Sequence, residues 1–392
     1  MRRRTFTLTA PLAGFGLTLV GPARAQPAAS PAPAAADLIG PILAETKTPS
    51  LAGAVVARDG LPWLEVGGVR QGPGSAAVTK DDLWHLGSNT KAMTAALYAK
   101  LVEQGKAHWG ATVPELFPKL KVDAVWKATT VEALMSHTAG LSDKPLVDPA
   151  WLVSARSDPR PLAEQRRAFA ARAFHAPPAG KPGSFEYANA NFIIAGAAIE
   201  AIAGAPWEDV IRAELFAPLH MDSAGFGAPT GDEPWGHTAD GTPVDPAGIA
   251  DNPAALGPAG TVHVSLEDYA KFLRLFITGG GDFLSPDSIR RLTTPYSDAD
   301  QSYALGWGVY KSRPWANGPV LFHEGSNTLW DAVALVAPAR GLAFIGVSND
   351  FALGHKATTA LMLKLIGLFA PTTPSSGPAP GPPQASPQPP PH

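Results

Sequence analysis

The 392-residue chain contains no cysteine. That excludes disulfides, thiol catalysis and thiolate metal sites, and it leaves the core alone to hold the fold together. Basic residues are slightly outnumbered, 31 against 34 acidic ones. Nothing in that balance suggests a nucleic acid or an anionic membrane surface as a partner. The ten histidines are scattered. His323-Glu324 lacks the second histidine of a zinc-protease helix, so no metal or other cofactor is expected. No Gly-x-Ser-x-Gly elbow occurs, which disfavours one widespread esterase fold. There is no internal repeat. The apolar run near the N-terminus is interrupted by Pro11, Gly14 and Gly16 and is too short to span a bilayer.

That run fits an export signal instead. Arg2, Arg3 and Arg4 form a basic head, Phe6 to Val20 is the apolar stretch, and Ala23-Arg24-Ala25 suits a small-residue cleavage site. Arg3-Arg4-Thr5-Phe6 also resembles a twin-arginine signal, which is read by a machine that exports folded proteins. A periplasmic or secreted protein is the expectation. Cleavage after residue 25 removes four arginines and no acids, so the mature chain is more acidic than the −3 of the whole sequence. Residues 26–35 read as a disordered Ala/Pro leader, and residues 371–392 as a disordered proline-rich tail.

Residues 36–370 then form the folded domain, and the 45% apolar composition of the whole chain suits a large core. Ala36 to Lys47 reads as a helix. Leu51 to Arg58 and Leu61 to Val69 read as strands joined at Asp59-Gly60, a hairpin signal. Four more strand-like runs lie near the other end: Gly306 to Lys311, Val320 to Glu324, Trp330 to Ala337 and Leu342 to Ser348. Lys356 to Phe369 closes the chain as a helix. The middle carries helical patterns at Ala92 to Gln104, Val131 to Ser136, Leu162 to Phe174, Asn191 to Ala203, Trp207 to Leu215 and Ser265 to Thr278. Thr129 with Glu132, and Ser265 with Asp268, suit N-terminal caps. Strands from both ends and helices from the middle predict an α+β fold. An antiparallel sheet is flanked by the terminal helices, an all-helical lobe is inserted, and a cleft lies between the two.

Ser88-Asn89-Thr90-Lys91 sits where a short polar segment becomes an apolar helical pattern. Positions i and i+3 share a helix face, so the Ser88 hydroxyl and Lys91 amine lie about one turn apart. An amine of depressed pKa can take the serine proton, and a helix start offers N–H groups to a developing oxyanion. Tyr187-Ala188-Asn189 supplies a phenol able to pass protons and an amide able to hold a substrate carbonyl or to orient Lys91. His323-Glu324-Gly325-Ser326 ends a predicted strand. Alternation puts His323 and Gly325 on one side and Glu324 on the other. Gly325 permits close approach of the Ser88 helix or of substrate, and the Ser326 N–H is placed to join that of Ser88.

These three motifs, in this order, resemble those of the serine β-lactamase and penicillin-binding-protein superfamily. The likeness is to its branch of class C β-lactamases, D-alanyl-D-alanine carboxypeptidases, D-aminopeptidases and β-lactamase-like carboxylesterases. Leu134 to Leu141 and Gly257-Pro258-Ala259-Gly260 add to it, and it runs from Ala36 to Phe369. The resemblance implies the sheet-plus-helical-lobe fold and an acyl-enzyme on Ser88. It implies Lys91 and Tyr187 as proton carriers, and Asn189, His323, Gly325 and Ser326 as substrate and oxyanion contacts.

Two departures bear on substrate. His323 stands where class C enzymes carry a lysine that anchors the substrate carboxylate, and a neutral imidazole is a weaker anchor. Glu324 replaces a small residue and adds negative charge. Both argue against an efficient cephalosporinase. Trp235, Trp307 and Trp330 are candidates for the cleft wall, with core packing at least as good a reading for any one of them. His137 is expected to be structural, and the loops Ser142 to Pro182 and Gly225 to Pro258 are expected to border the cleft. Three functions stay open: an esterase or amidase on small acyl substrates, a D-amino-acid peptidase or weak β-lactamase, and a non-catalytic binding protein on the same fold.

Overall fold

The computed structural model describes residues 37–372. The readings of an export signal, a leader and a tail beyond residue 372 lie outside that range. A seven-stranded antiparallel sheet runs in the order β2-β1-β10-β9-β8-β7-β6. Its strands are β1 (Ser50–Ala57), β2 (Gly60–Gly68), β6 (Gln301–Tyr303), β7 (Gly308–Arg313), β8 (Gly318–Gly325), β9 (Asp331–Ala337) and β10 (Leu342–Ser348). The sheet is thus assembled from the two ends of the chain. β1 pairs with β2 across the two-residue turn Arg58-Asp59, one residue before the expected Asp59-Gly60, and with β10 on its other side.

Both faces of the sheet are covered, so the strands read as near-continuous apolar runs. Along β1, Ala52, Ala54 and Val56 join the large core beneath the helical lobe. Leu51 and Val55 face the other way, onto Ile39 and Ile42 of helix Ile39–Thr46 and Leu361 and Leu365 of helix Gly354–Phe369. The inserted lobe carries helices Thr90–Glu103, Leu162–Phe174, Asn189–Ala203 and Leu266–Thr278. Helix Thr90–Glu103 is buried all round for its first ten residues. Its small side chains, Ala92, Ala95, Ala96 and Ala99, let neighbours close on every side.

Some expectations needed correction. Helix Val131–Met135 is capped by Thr130, which accepts from the Ala133 N–H at 3.2 Å. Thr129 was expected there, but its carbonyl accepts from the Val113 N–H in a strand-like pairing. Glu132 instead accepts from the Gly110 N–H. Ser265 does accept from the Asp268 N–H. The Trp207 helix widens after Ile211 into a π-helical turn, Arg212–Phe216. Trp307 and Trp330 are fully buried core residues rather than cleft residues. A small sheet of β3 (Trp84–His85), β5 (Val262–Val264) and β4 (Gly225–Phe226) was not anticipated. Strands of two or three residues carry too little alternation to announce themselves.

Gly53 tests the packing of the outer face. A Cβ there would lie 2.6 Å from Leu361 Cδ2 and 2.8 Å from the Ile345 carbonyl, whereas Gly60 has open space around it. Gly53→Val is expected to lower stability by about 2 kcal/mol, and Gly60→Ala to change it by less than about 0.5 kcal/mol, in urea unfolding.

Candidate active site

The turn Gly87–Asn89 runs directly into helix Thr90–Glu103. Gly87 adopts φ +51, the left-handed region that glycine enters without strain. Asn89 is fully buried and pins the turn. Its Nδ2 donates to the carbonyls of Leu86 (2.9 Å) and Ala332 (3.2 Å), and its Oδ1 accepts from the Tyr269 hydroxyl (2.9 Å). Thr90 Oγ1 donates to the Gly87 carbonyl and accepts from the Val262 N–H. The turn is thereby tied to β9 on one side and to β5 on the other.

Lys91 is wholly buried, and its Nζ has three polar neighbours. They are Ser88 Oγ at 2.9 Å, Asn189 Oδ1 at 2.8 Å and the Ala259 carbonyl at 2.7 Å. Two of these can only accept. A neutral amine has two N–H bonds and one lone pair, so both hydrogens go to Asn189 and Ala259 and the lone pair faces the Ser88 hydroxyl. Burial drives the Lys91 pKa down to about 7, against a smaller upward pull from Asp143.

Asp143 has no part in the sequence motifs. Its Oδ2 accepts from the Asn189 backbone N–H (2.9 Å) and from Asn189 Nδ2 (2.9 Å), and its Oδ1 accepts from the Ala190 N–H (2.9 Å). It therefore caps helix Asn189–Ala203 from a separate loop and fixes which way the Asn189 amide points. With Nδ2 held by Asp143, Oδ1 is left for Lys91. No periodicity or short motif in Leu141-Ser142-Asp143 signals this.

Tyr187 lies over the same amine, its ring centroid 4.9 Å from Lys91 Nζ. Part of its ring is open to the cleft. Burial of the phenol raises its pKa, Ser88 beside it opposes the rise, and Asp143 adds to it. The phenol is therefore neutral at ordinary pH. Burial outweighs any pull of the lysine cation towards phenolate, and it lowers the proton affinity of Lys91 as well.

β8 closes the other wall. Gly325 passes so near the turn that a Cβ would lie 2.1 Å from the Leu86 carbonyl and 2.8 Å from the Ser88 nitrogen. A Cβ on Gly87 would lie 2.4 Å from the Ser326 nitrogen. Two glycines thus bring the backbone nitrogens of Ser88 and Ser326 to one junction. The Ser326 hydroxyl accepts from the Thr328 N–H at 2.8 Å, turned to its own loop.

His323 and Gly325 are buried and Glu324 is exposed, as strand alternation requires. His323 is not free to bind substrate, however. Its Nδ1 donates to the Glu324 carbonyl at 2.9 Å, so its Nε2 accepts from the Tyr303 hydroxyl at 3.0 Å. Burial, with help from Lys91, lowers its pKa to about 3. It is a neutral ring locked by Tyr303, a residue the sequence did not single out. His137, also buried and held neutral, accepts at Nδ1 from the Ala188 N–H and Asn191 Nδ2. It ties its loop to the start of helix Asn189–Ala203.

The Beta-lactamase family model matches residues 35–368. Penicillin-binding protein 4 of Amycolatopsis lactamdurans is 28% identical over 353 residues, covering 83% of this chain and 87% of the relative. The unguisins hydrolase ungD' of Aspergillus campestris is 28% identical over 329 residues, or 78% of this chain, which spans only 59% of that protein. The octameric penicillin-binding protein homologue of Pyrococcus abyssi shares the fold with a TM-score of 0.69 at 22% identity, covering 84% of this chain and 77% of that one. On the strength of the family match, this chain belongs to the beta-lactamase family, and it is a serine hydrolase.

Proposed function

We propose that the enzyme cleaves esters or amides of small acyl groups or D-amino-acid peptides through an acyl-enzyme on Ser88. The observation that carries this reading is the wholly buried Lys91 amine, its pKa lowered to about 7, lying 2.9 Å from the Ser88 hydroxyl. Lys91 takes the Ser88 proton as Oγ bonds to the substrate carbonyl carbon. The N–H groups of Ser88 and Ser326 receive the oxyanion, each worth about 3–4 kcal/mol in the transition state. Tyr187, a neutral phenol, gives its proton to the departing alcohol or amine and is reprotonated from the Lys91 ammonium. Water then enters, loses a proton along the same path and releases the acid. Asn189, oriented by Asp143, keeps the amine in register.

Within this reading an efficient β-lactamase is disfavoured. The wall that would meet a substrate carboxylate offers a neutral His323 and an exposed Glu324. A binding protein without turnover gives no reason for burying an amine against a serine. Export stands on residues 1–25 alone, and N-terminal sequencing of the exported protein is expected to begin at Gln26.

Ser88→Ala is expected to abolish turnover of p-nitrophenyl esters and labelling by a fluorophosphonate probe. Labelling that survives the substitution would refute the nucleophile. Because Lys91 must be neutral to act, kcat/KM is expected to rise with pH through one ionisation near 7. Stability follows the same group. Above pH 7 and up to about 10.5 the unfolded lysine holds a proton that the native one has lost, so native stability rises across that window. Lys91→Met is expected to flatten this rise in urea unfolding at pH 6 and 9. Asp143→Ala is expected to lower kcat about 10- to 100-fold with a smaller change in KM, since it acts through Asn189 rather than on substrate.

A further inference from the structure

β7 stops pairing with β8 at Gly308 and Phe322, so His323 to Gly325 form an open strand edge. Along that edge lies a cavity of about 570 Å³ that reaches Tyr187. Six aromatic rings line it: Phe185, Tyr187, Tyr296, Tyr303, Tyr310 and Phe322. Phe185, Tyr187 and Tyr296 are among the most exposed aromatics of the described residues. Gly308 makes room for the floor, because a Cβ there would lie 2.4 Å from Phe322 Cζ, and Phe322 stacks on Tyr310 at 4.2 Å.

The lining holds one ionised side chain, Glu324, and no lysine or arginine. His323 is also in the lining, but it is neutral and committed to Tyr303. Just outside the cavity, Lys91, its pKa lowered to about 7, lies 4.9 Å from the Tyr187 ring centroid, and the Lys311 amine is turned to the Asp298 carbonyl at 3.3 Å. Arg313 covers Tyr310 from 4.0 Å, with its charge met by Asp300 at 3.0 Å. Behind Glu324 the next acid is Asp331, close enough to feel its charge and 3.7 Å from His355. Aromatic faces are attractive to cations, and an acid at the rim adds a direct partner. A carboxylate entering the same space meets ring faces and Glu324, and both repel it.

We propose that this cavity is a subsite for a protonated amine on the acyl part of the substrate. The enzyme then selects acyl donors carrying an ammonium group a few bonds from the scissile carbonyl and rejects those carrying a carboxylate. This rests on the acyl-enzyme reading above and names its substrate class. Glu324 is a specificity residue and takes no part in bond making.

The test compares p-nitrophenyl esters of aminohexanoic, heptanoic and adipic acids, which match in length and differ in terminal charge. The expected kcat/KM order is ammonium, then neutral, then carboxylate, with about tenfold between the first two. Glu324→Gln is expected to collapse the ammonium-to-neutral ratio to within about twofold, and Glu324→Lys to favour the adipate ester. These ratios are internal to each variant, so a loss of folded enzyme cancels. An ammonium preference that is absent, or that survives in Glu324→Gln, overturns the subsite. Failure of the underlying reading looks different, as no ester turns over and no fluorophosphonate label appears on Ser88. In that event, calorimetric binding of hexyltrimethylammonium to the wild-type protein and to Glu324→Gln decides the subsite by itself. Binding lost in the variant supports it, and no binding to the wild type or equal binding to both overturns it.

Discussion

The site depends on one unfavourable act, the complete burial of a lysine amine. Left charged and alone, an ammonium in the interior is costly. Here the cost is reduced in two ways. The amine gives up most of its affinity for the proton, and its two remaining hydrogens find fixed acceptors in Asn189 and Ala259. Those same acceptors dictate where the lone pair points. Ground-state stability and nucleophile activation are therefore the same geometry seen at two protonation states. Adding a third acceptor would stabilise the ammonium and weaken the base, whereas freeing the amide of Asn189 would remove an acceptor and leave the amine without its fixed orientation.

Second to that constraint is the approach of two backbones. The nucleophile turn and the end of β8 meet at glycine against glycine, with no room for a Cβ on either side. Only that closeness brings the Ser88 and Ser326 nitrogens to one place. The surrounding polar network holds the turn rigid without touching substrate. Asn89 bonds to β9, Thr90 to β5, and His85 accepts from the Gly87 N–H while its other nitrogen reaches Asp251 at 3.0 Å. The small three-stranded sheet is the frame for this arrangement, since Leu86 donates to the Val262 carbonyl and so sets the turn beside Gly257–Gly260.

How much of this was legible in the sequence follows from the range of each interaction. The strands and long helices repeat a pattern over many residues, and the β1–β2 hairpin and the helix Leu162–Phe174 could be read locally. Ser88 and Lys91 are three residues apart, so their meeting is a property of a helix face. Asp143 and Asn189 are 46 residues apart, and a lone acid in a loop carries no mark of the helix it caps. Tyr303 and His323 meet only because β6, β7 and β8 are neighbours, and β6 is three residues long. The tryptophans stayed open between cleft and core for a related reason. A large apolar ring suits a cleft or a core equally well, and only the sheet shows that Trp307 and Trp330 lie inside.

His323 shows why residue type alone does not set a role. From the sequence it was a mostly neutral imidazole, a weaker anchor for a carboxylate than the lysine it replaces. In the fold its two ring nitrogens are spent on Glu324 and Tyr303, and burial beside Lys91 keeps it neutral far below physiological pH. A second positive charge there would compete with the Lys91 ammonium, because each cation makes the other less favourable. A neutral position 323 therefore leaves Lys91 more of its basicity than a second cation would, and it leaves the β8 wall without an anion anchor. The wall then takes its sign from the next residue, Glu324. One substitution thus links the strength of the base to the charge of the substrate it serves.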